Sequence, residues 1–172
     1  MADMDELTGT DARQDTGGFR ATLGNLPSGV AAITALSDGQ PIGVTVASLL
    51  MVSVEPPMVG FMLGKSSSSL PRIIEHGSFT ANILPAEQQD LAIGFATKPA
   101  TERFSDVSWR PAPGTGNPVL DGAVAWIDCR ITTVVEPGDY ALVVGEADRF
   151  GTGPEGTPLA FHRGRFTRLT ED

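Results

Sequence analysis

Apolar and polar positions fall into many short blocks separated by turn residues. Phe19, Leu23 and Leu26 recur at near-helical spacing until Pro27 closes the pattern, which predicts a short helix. Val30–Leu36 has the length and composition of a strand. Ser37-Asp38-Gly39-Gln40 then predicts a hairpin turn, with glycine free to take positive φ. Ile42–Val54 and Met58–Leu63 read as the next strands, divided by Glu55-Pro56-Pro57. Serine ahead of a proline in Leu70-Pro71-Arg72-Ile73-Ile74 predicts a helix start. Phe79–Leu84 is strand-like, and Glu87–Ala96 predicts a helix carrying Leu91, Ile93 and Phe95. Residues 97–117 are irregular and rich in Pro and Gly. Val119–Val135 and Tyr140–Phe150 predict a long hairpin around Glu136-Pro137-Gly138-Asp139, and Pro158–His162 and Arg165–Leu169 finish the sheet. There is no internal repeat. Short strands in this number, with few short helices, predict a mainly β barrel or sandwich.

Composition narrows this picture. A chain of 172 residues suits one domain, and 41% apolar against 19% charged residues supports a real core. Many Gly and Pro, with aromatics at 6%, favour a turn-rich β protein over a helical bundle. Residues 1–17 carry five acids and Arg13 but little apolar content, so a mobile tail is expected there and a folded domain over 18–172. The balance of 12 basic against 21 acidic residues, net −9, repels nucleic acid and anionic membranes. No apolar run approaches the ~18 residues of a membrane span, and no signal pattern opens the chain, so a cytoplasmic location is expected. The single cysteine, Cys129, excludes an internal disulfide and lies in an apolar run, where a buried, inert thiol is expected. His76 and His162 form no metal or triad pattern, so no metal is expected, and His162 is expected to be packed and hydrogen-bonded.

The chemistry concentrates in Gly43–Pro57. Thr45, Ser48 and Ser53 interrupt an otherwise apolar run. A purely structural strand has no need of them, whereas a strand whose edge faces a flat, hydrogen-bonding ring gains from small side chains that let the backbone come close. Lys65-Ser66-Ser67-Ser68-Ser69 at a helix start offers unpaired N–H groups, hydroxyls and an ammonium to an anion. Taken by itself, that segment reads more simply as a flexible polar loop with a serine cap.

The order of several motifs adds to this. The chain contains Pro27-Ser28-Gly29-Val30, Gly43-Val44-Thr45-Val46-Ala47-Ser48, Val52-Ser53-Val54-Glu55-Pro56-Pro57, Phe79-Thr80-Ala81-Asn82-Ile83-Leu84, Phe95-Ala96 and His162-Arg163-Gly164-Arg165-Phe166. Gln88 and the pair Arg103-Phe104 also fall into place. In this order and spacing, from about Phe19 to Leu169, the chain resembles the flavin reductase family, the FMN-binding split-barrel reductases of two-component monooxygenases. The resemblance implies a split β-barrel homodimer that binds FMN or FAD in a groove beside the subunit interface. It implies NADH or NADPH as reductant and a flavin-dependent monooxygenase as the receiver of reduced flavin. Thr45, Ala47, Ser48 and Leu49 would line the isoalloxazine, largely through backbone groups, with Ser53 close by. Lys65, Ser66, Ser67, Ser68 and Ser69 would hold the phosphate, with Arg103 also at the cofactor. Asn82 and Phe104 would flank the ring or ribityl chain, and Phe166 would close one side. Each also has a plain structural reading: Asn82 can satisfy a buried backbone group, and Phe104 and Phe166 can be core aromatics.

Two departures matter. Ala47 stands where the family often has Asn. The family's Gly-Asp-His turn reads Gly138-Asp139-Tyr140, which places Asp139 and Tyr140 at the nicotinamide. Tyrosine can stack and donate a hydrogen bond, but it cannot carry a positive charge. Hydride transfer between two cofactors asks for no acid, base or nucleophile from the protein, so no catalytic side chain is expected. A flavin carrier or redox sensor without turnover is the alternative that Tyr140 favours. A lipocalin-like carrier would explain the strands but not the serine loop.

Overall fold

The computed structural model describes residues 9–169, which form three helices and twelve strands. In chain order these are α1 (Thr16–Leu23), β1 (Ser28–Gly29), β2 (Ala31–Ser37), β3 (Gln40–Val46), β4 (Leu50–Ser53) and β5 (Met58–Gly64). Then come α2 (Ser69–His76), β6 (Ser78–Ile83), α3 (Gln89–Thr97), β7 (Trp109–Pro111), β8 (Pro118–Leu120), β9 (Ala125–Val135), β10 (Tyr140–Thr152), β11 (Leu159–His162) and β12 (Arg165–Arg168).

Seven strands make one antiparallel sheet in the order β3-β2-β6-β9-β10-β5-β4. Its alternating apolar positions bury one face. Val44 and Val46 of β3 share a core with Phe61 and Leu63 of β5, although four strands lie between β3 and β5 in the sheet order. The sheet therefore curls until its ends approach without pairing, and the barrel stays split. Phe61 and Phe79 meet edge to face at 5.0 Å inside it. Gly145 permits this packing, because an added Cβ would stand 2.7 Å from the Phe79 ring. Leu70 and Ile73 of α2 join this core, while Ala92 and Phe95 of α3 join a second one with Val30, Leu84, Leu120 and Leu159.

The β2–β3 hairpin forms as the sequence predicts. Ser37 pairs with Gln40, and Asp38 and Gly39 both take positive φ, the backbone of a two-residue turn that matches strand twist. Other expectations need correction. Ile42–Val54 is not one strand: it breaks at residues 47–49, where the chain crosses the split from β3 to β4. Val119–Val135 also divides, with Gly122 at φ 82° turning the chain between β8 and β9. The last two strands do not finish the main sheet. They pair with each other, and β11 pairs with β1, in a separate three-stranded sheet.

The expected tail falls partly outside the described residues. Within them, α1 begins at Thr16, inside that stretch, because the Asp15 carboxylate accepts the Gly18 N–H at 2.7 Å and caps the helix. No helix among the described residues is long and apolar enough to cross a membrane.

Candidate functional site

The crossing at residues 47–49 is held by one hydroxyl. Ser48 Oγ donates to the Met62 carbonyl and accepts the Met62 N–H, both at 2.9 Å. It thus stands in for a missing strand neighbour on the open edge of β5. Three residues earlier, Thr45 Oγ1 donates to the Ala92 carbonyl at 2.8 Å and ties β3 to α3. Both hydroxyl protons are therefore directed at the protein's own carbonyls, and each oxygen keeps acceptor capacity. The backbone of the crossing is the group left over. Among the described residues, no loop or turn backbone hydrogen bond involves Ala47, Ser48 or Leu49, and Ala47 is exposed. Its methyl group leaves those backbone groups open from outside.

β5 leads from this clasp to the serine loop. Ser67 N–H donates to the Gly64 carbonyl at 2.9 Å, and Ser69 N–H donates to Ser67 Oγ at 3.3 Å. Ser68 occupies the cap position of α2, yet its side chain makes no capping bond. Lys65, Ser66 and Ser68 are exposed, whereas Ser69 is buried. Arg103 explains why. Its Nη1 donates to Ser69 Oγ at 3.1 Å and to the Gly43 carbonyl at 2.7 Å, and its Nε donates to the Lys98 carbonyl at 2.9 Å. The guanidinium is wedged under the start of α2, where burial lowers its pKa. Arginine stays cationic throughout the neutral range. Two cations, several hydroxyls and the positive end of a helix thus converge on one loop, a donor set that fits a phosphate.

The β9–β10 turn joins the same place. Tyr140 lies opposite Gly64 in the β5–β10 ladder, and the Lys65 N–H donates to the Asp139 carbonyl at 2.9 Å. Lys65 Nζ also pairs with Glu136 Oε2 at 3.6 Å. Tyr140 is 41% exposed and Asp139 is exposed as well. Met62, Gly64 and Lys65 succeed one another along β5 and its exit, so the crossing, the tyrosine and the loop line one path.

Other predicted residues lie elsewhere or are otherwise engaged. Asn82 is fully buried. Its Nδ2 donates to Thr34 Oγ1 at 3.0 Å and to the Ala32 carbonyl at 3.2 Å, and its Oδ1 accepts the Leu120 N–H at 2.8 Å. With the side chain fully buried and both amide hydrogens engaged, these fold contacts account for Asn82 as the buried-group reading expects. Phe104 stacks on Phe95 at 4.9 Å, and Phe166 packs on Phe161 at 5.2 Å in the small sheet. Both are half-buried on the second core, and packing accounts for them. The Phe95–Phe104 pair lies over Gly43, where an added Cβ would stand 2.6 Å from Phe95. Ser53 sits half-buried at the irregularity between β4 and β5. Gln88 Nε2 donates to the Asp121 carbonyl at 2.7 Å, a fold contact.

Cys129 is buried, as expected, and its thiol is pushed up to about 12, first by burial and then by the nearby Asp128 charge. Sequence reasoning missed the Arg103 wedge and the Glu136–Lys65 pair. Both depend on which loops meet, which no local pattern encodes.

Comparison with known proteins agrees with this geometry. The flavin reductase like domain profile matches residues 23–170. A flavin reductase from Pseudomonas putida is 39% identical over 86% of this chain and 86% of its own length. The reductase subunit of a flavin-dependent monooxygenase from Rhodococcus jostii is 35% identical over 98% of this chain and 88% of its own. Among solved structures, an NADH:FAD oxidoreductase of Streptomyces globisporus in complex with NAD and FAD fragments superposes with a TM-score of 0.87. It is 30% identical, covering 96% of this chain and 98% of that one. With the match spanning nearly all of the split barrel and every element of the path along β5, the chain belongs to the flavin reductase like domain family.

Proposed function

We propose that this chain is an NAD(P)H-dependent flavin reductase that supplies reduced FMN or FAD to a partner monooxygenase. One observation carries the reading: the open backbone at residues 47–49, Tyr140 and the cationic serine loop all abut one stretch of β5. From Met62 to Lys65 the strand advances about 10 Å at roughly 3.3 Å per residue. That is comparable to the reach of a ribityl phosphate, so one flavin can span from crossing to loop.

Each group then has a task. Ser48 and Thr45 hold the crossing so that its small residues let a ring approach the backbone. Lys65 and the serines would hold the phosphate, with Arg103 fixing Ser69 beneath them. Asp139 and Tyr140 would stand at the nicotinamide side, where the exposed phenol would be available to the ring or its ribose. When bound, the flavin supplies the hydride-accepting ring, so no side chain of the protein need act as acid, base or nucleophile. The protein's share is to orient two rings face to face and keep water from between them.

The same reading includes a homodimer. Phe19, Leu23, Leu26, Leu50, Met51, Val54 and Phe150 are exposed, each by more than 45%. Met51, Val54, Met58, Trp126 and Phe150 line an apolar groove of about 390 Å³. A second copy would cover this surface. A cytoplasmic setting, where reduced nicotinamide is made, suits the activity.

The test is flavin titration followed by steady-state NADH and NADPH oxidation with added FMN or FAD. The reading predicts saturable flavin binding and flavin-dependent oxidation. Binding without oxidation would favour a flavin carrier, the alternative that tyrosine in place of the family's histidine supports. No binding would reject both.

A further inference from the structure

We infer that Glu136 competes with the flavin phosphate for Lys65 and so sets how readily flavin leaves the protein. The inference rests on the phosphate reading above and concerns a residue outside that donor set. Glu136 Oε2 lies 3.6 Å from Lys65 Nζ, with both side chains about half exposed. The backbones that carry the two side chains are held together. The Lys65 backbone N–H is fixed to the Asp139 carbonyl, and Tyr140 sits opposite Gly64, so the turn carrying Glu136 is locked beside the serine loop.

Lys65 is the exposed cation of that loop, whereas Arg103 is already engaged by Ser69, Gly43 and Lys98. A phosphate arriving at the loop therefore meets an ammonium already neutralised and a carboxylate close by. It must draw Lys65 from Glu136 and tolerate the residual negative charge. Both effects weaken phosphate binding, and neither touches the ring. A reductase that hands its reduced flavin to another enzyme gains from a phosphate grip held in check. The half-exposed setting keeps the effect small, because solvent screens the pair.

The experiment measures dissociation constants for FMN and riboflavin by flavin fluorescence on the full-length wild type, Glu136→Gln and Glu155→Gln. Glu136→Gln keeps size and removes the charge. Glu155 lies beyond the opposite end of β10, so its replacement changes net charge equally but far from the loop. The expected result is FMN binding about two- to fivefold tighter in Glu136→Gln, the range for an exposed ion pair. Riboflavin, which lacks the phosphate, stays unchanged, and Glu155→Gln resembles wild type. Unchanged FMN affinity in Glu136→Gln, equal tightening of riboflavin, or the same effect from Glu155→Gln overturns the inference while leaving the phosphate site standing. Wild-type protein that holds riboflavin as tightly as FMN overturns the phosphate site and this inference together.

Discussion

Replacing Asn82 with alanine separates a core residue from a ligand residue. The side chain is fully buried, with both amide hydrogens donated and its oxygen accepting one bond. Its two amide hydrogens serve Thr34 Oγ1 and the Ala32 carbonyl, the shortest of its contacts, and its oxygen takes the Leu120 N–H at 2.8 Å. Alanine removes all three bonds. The Leu120 N–H suffers most, since it has no water to turn to in a residue only 2% exposed. An orphaned buried donor costs about 1–3 kcal/mol, and the two lost donations add about 0.5–1.5 kcal/mol each. The expected destabilisation is ~2–6 kcal/mol. For a domain of this size each kcal/mol lowers Tm by roughly 2–4 °C, so a fall of roughly 4–24 °C follows. Calorimetry reads the fall, and fluorescence titration well below the new Tm reads FMN affinity. The account predicts a lower Tm with FMN affinity retained. An unchanged Tm with weakened FMN would refute it and return Asn82 to the flavin.

Three further outcomes follow from the same geometry. Replacing Ser67 and Ser69 together with alanine should weaken FMN by about 1–3 kcal/mol in isothermal titration, the scale of bonds to a charged group, while riboflavin loses little; equal losses for both ligands would mean the loop merely collapsed. Tyr140→His should lower the KM for NADH and Tyr140→Ala should raise it, with FMN affinity constant in both; kinetics unchanged in both variants would make Tyr140 a plain strand aromatic. At pH 8 a thiol with a pKa of about 12 is thiolate in only about one molecule in ten thousand, so Cys129 should resist alkylation in the folded protein and react on unfolding; rapid native labelling would contradict its burial.

The strands and most turns were legible because their signals are local. Asp38-Gly39 specifies its hairpin by backbone conformation, and the apolar runs from Met58 and Phe79 can only be buried strands in so small a core. The serine loop was legible as a possible anion cradle for the same reason. What stayed hidden is tertiary. Thr45 to Ser53 reads as continuous strand, since nothing in its alternation marks where the barrel stays open. The clasp of Ser48 on Met62 is hidden for the same reason, since a hydroxyl that bridges to a neighbouring strand has no sequence signature of its own. Asn82 shows the same ambiguity: its strand position foretells burial, but the partner Leu120 lies 38 residues away. Glu136 faces Lys65 only through the register of β5 with β10.

The most direct measurement is anaerobic flavin reduction with FMN in large molar excess over protein. NADH or NADPH is added, and the oxidised flavin band is followed. The account predicts that the band bleaches far beyond one flavin per protein, at a rate proportional to protein concentration, because reduced flavin leaves and is replaced. Bleaching that stops at one equivalent, or does not occur, would contradict the claim that this split barrel is a flavin reductase.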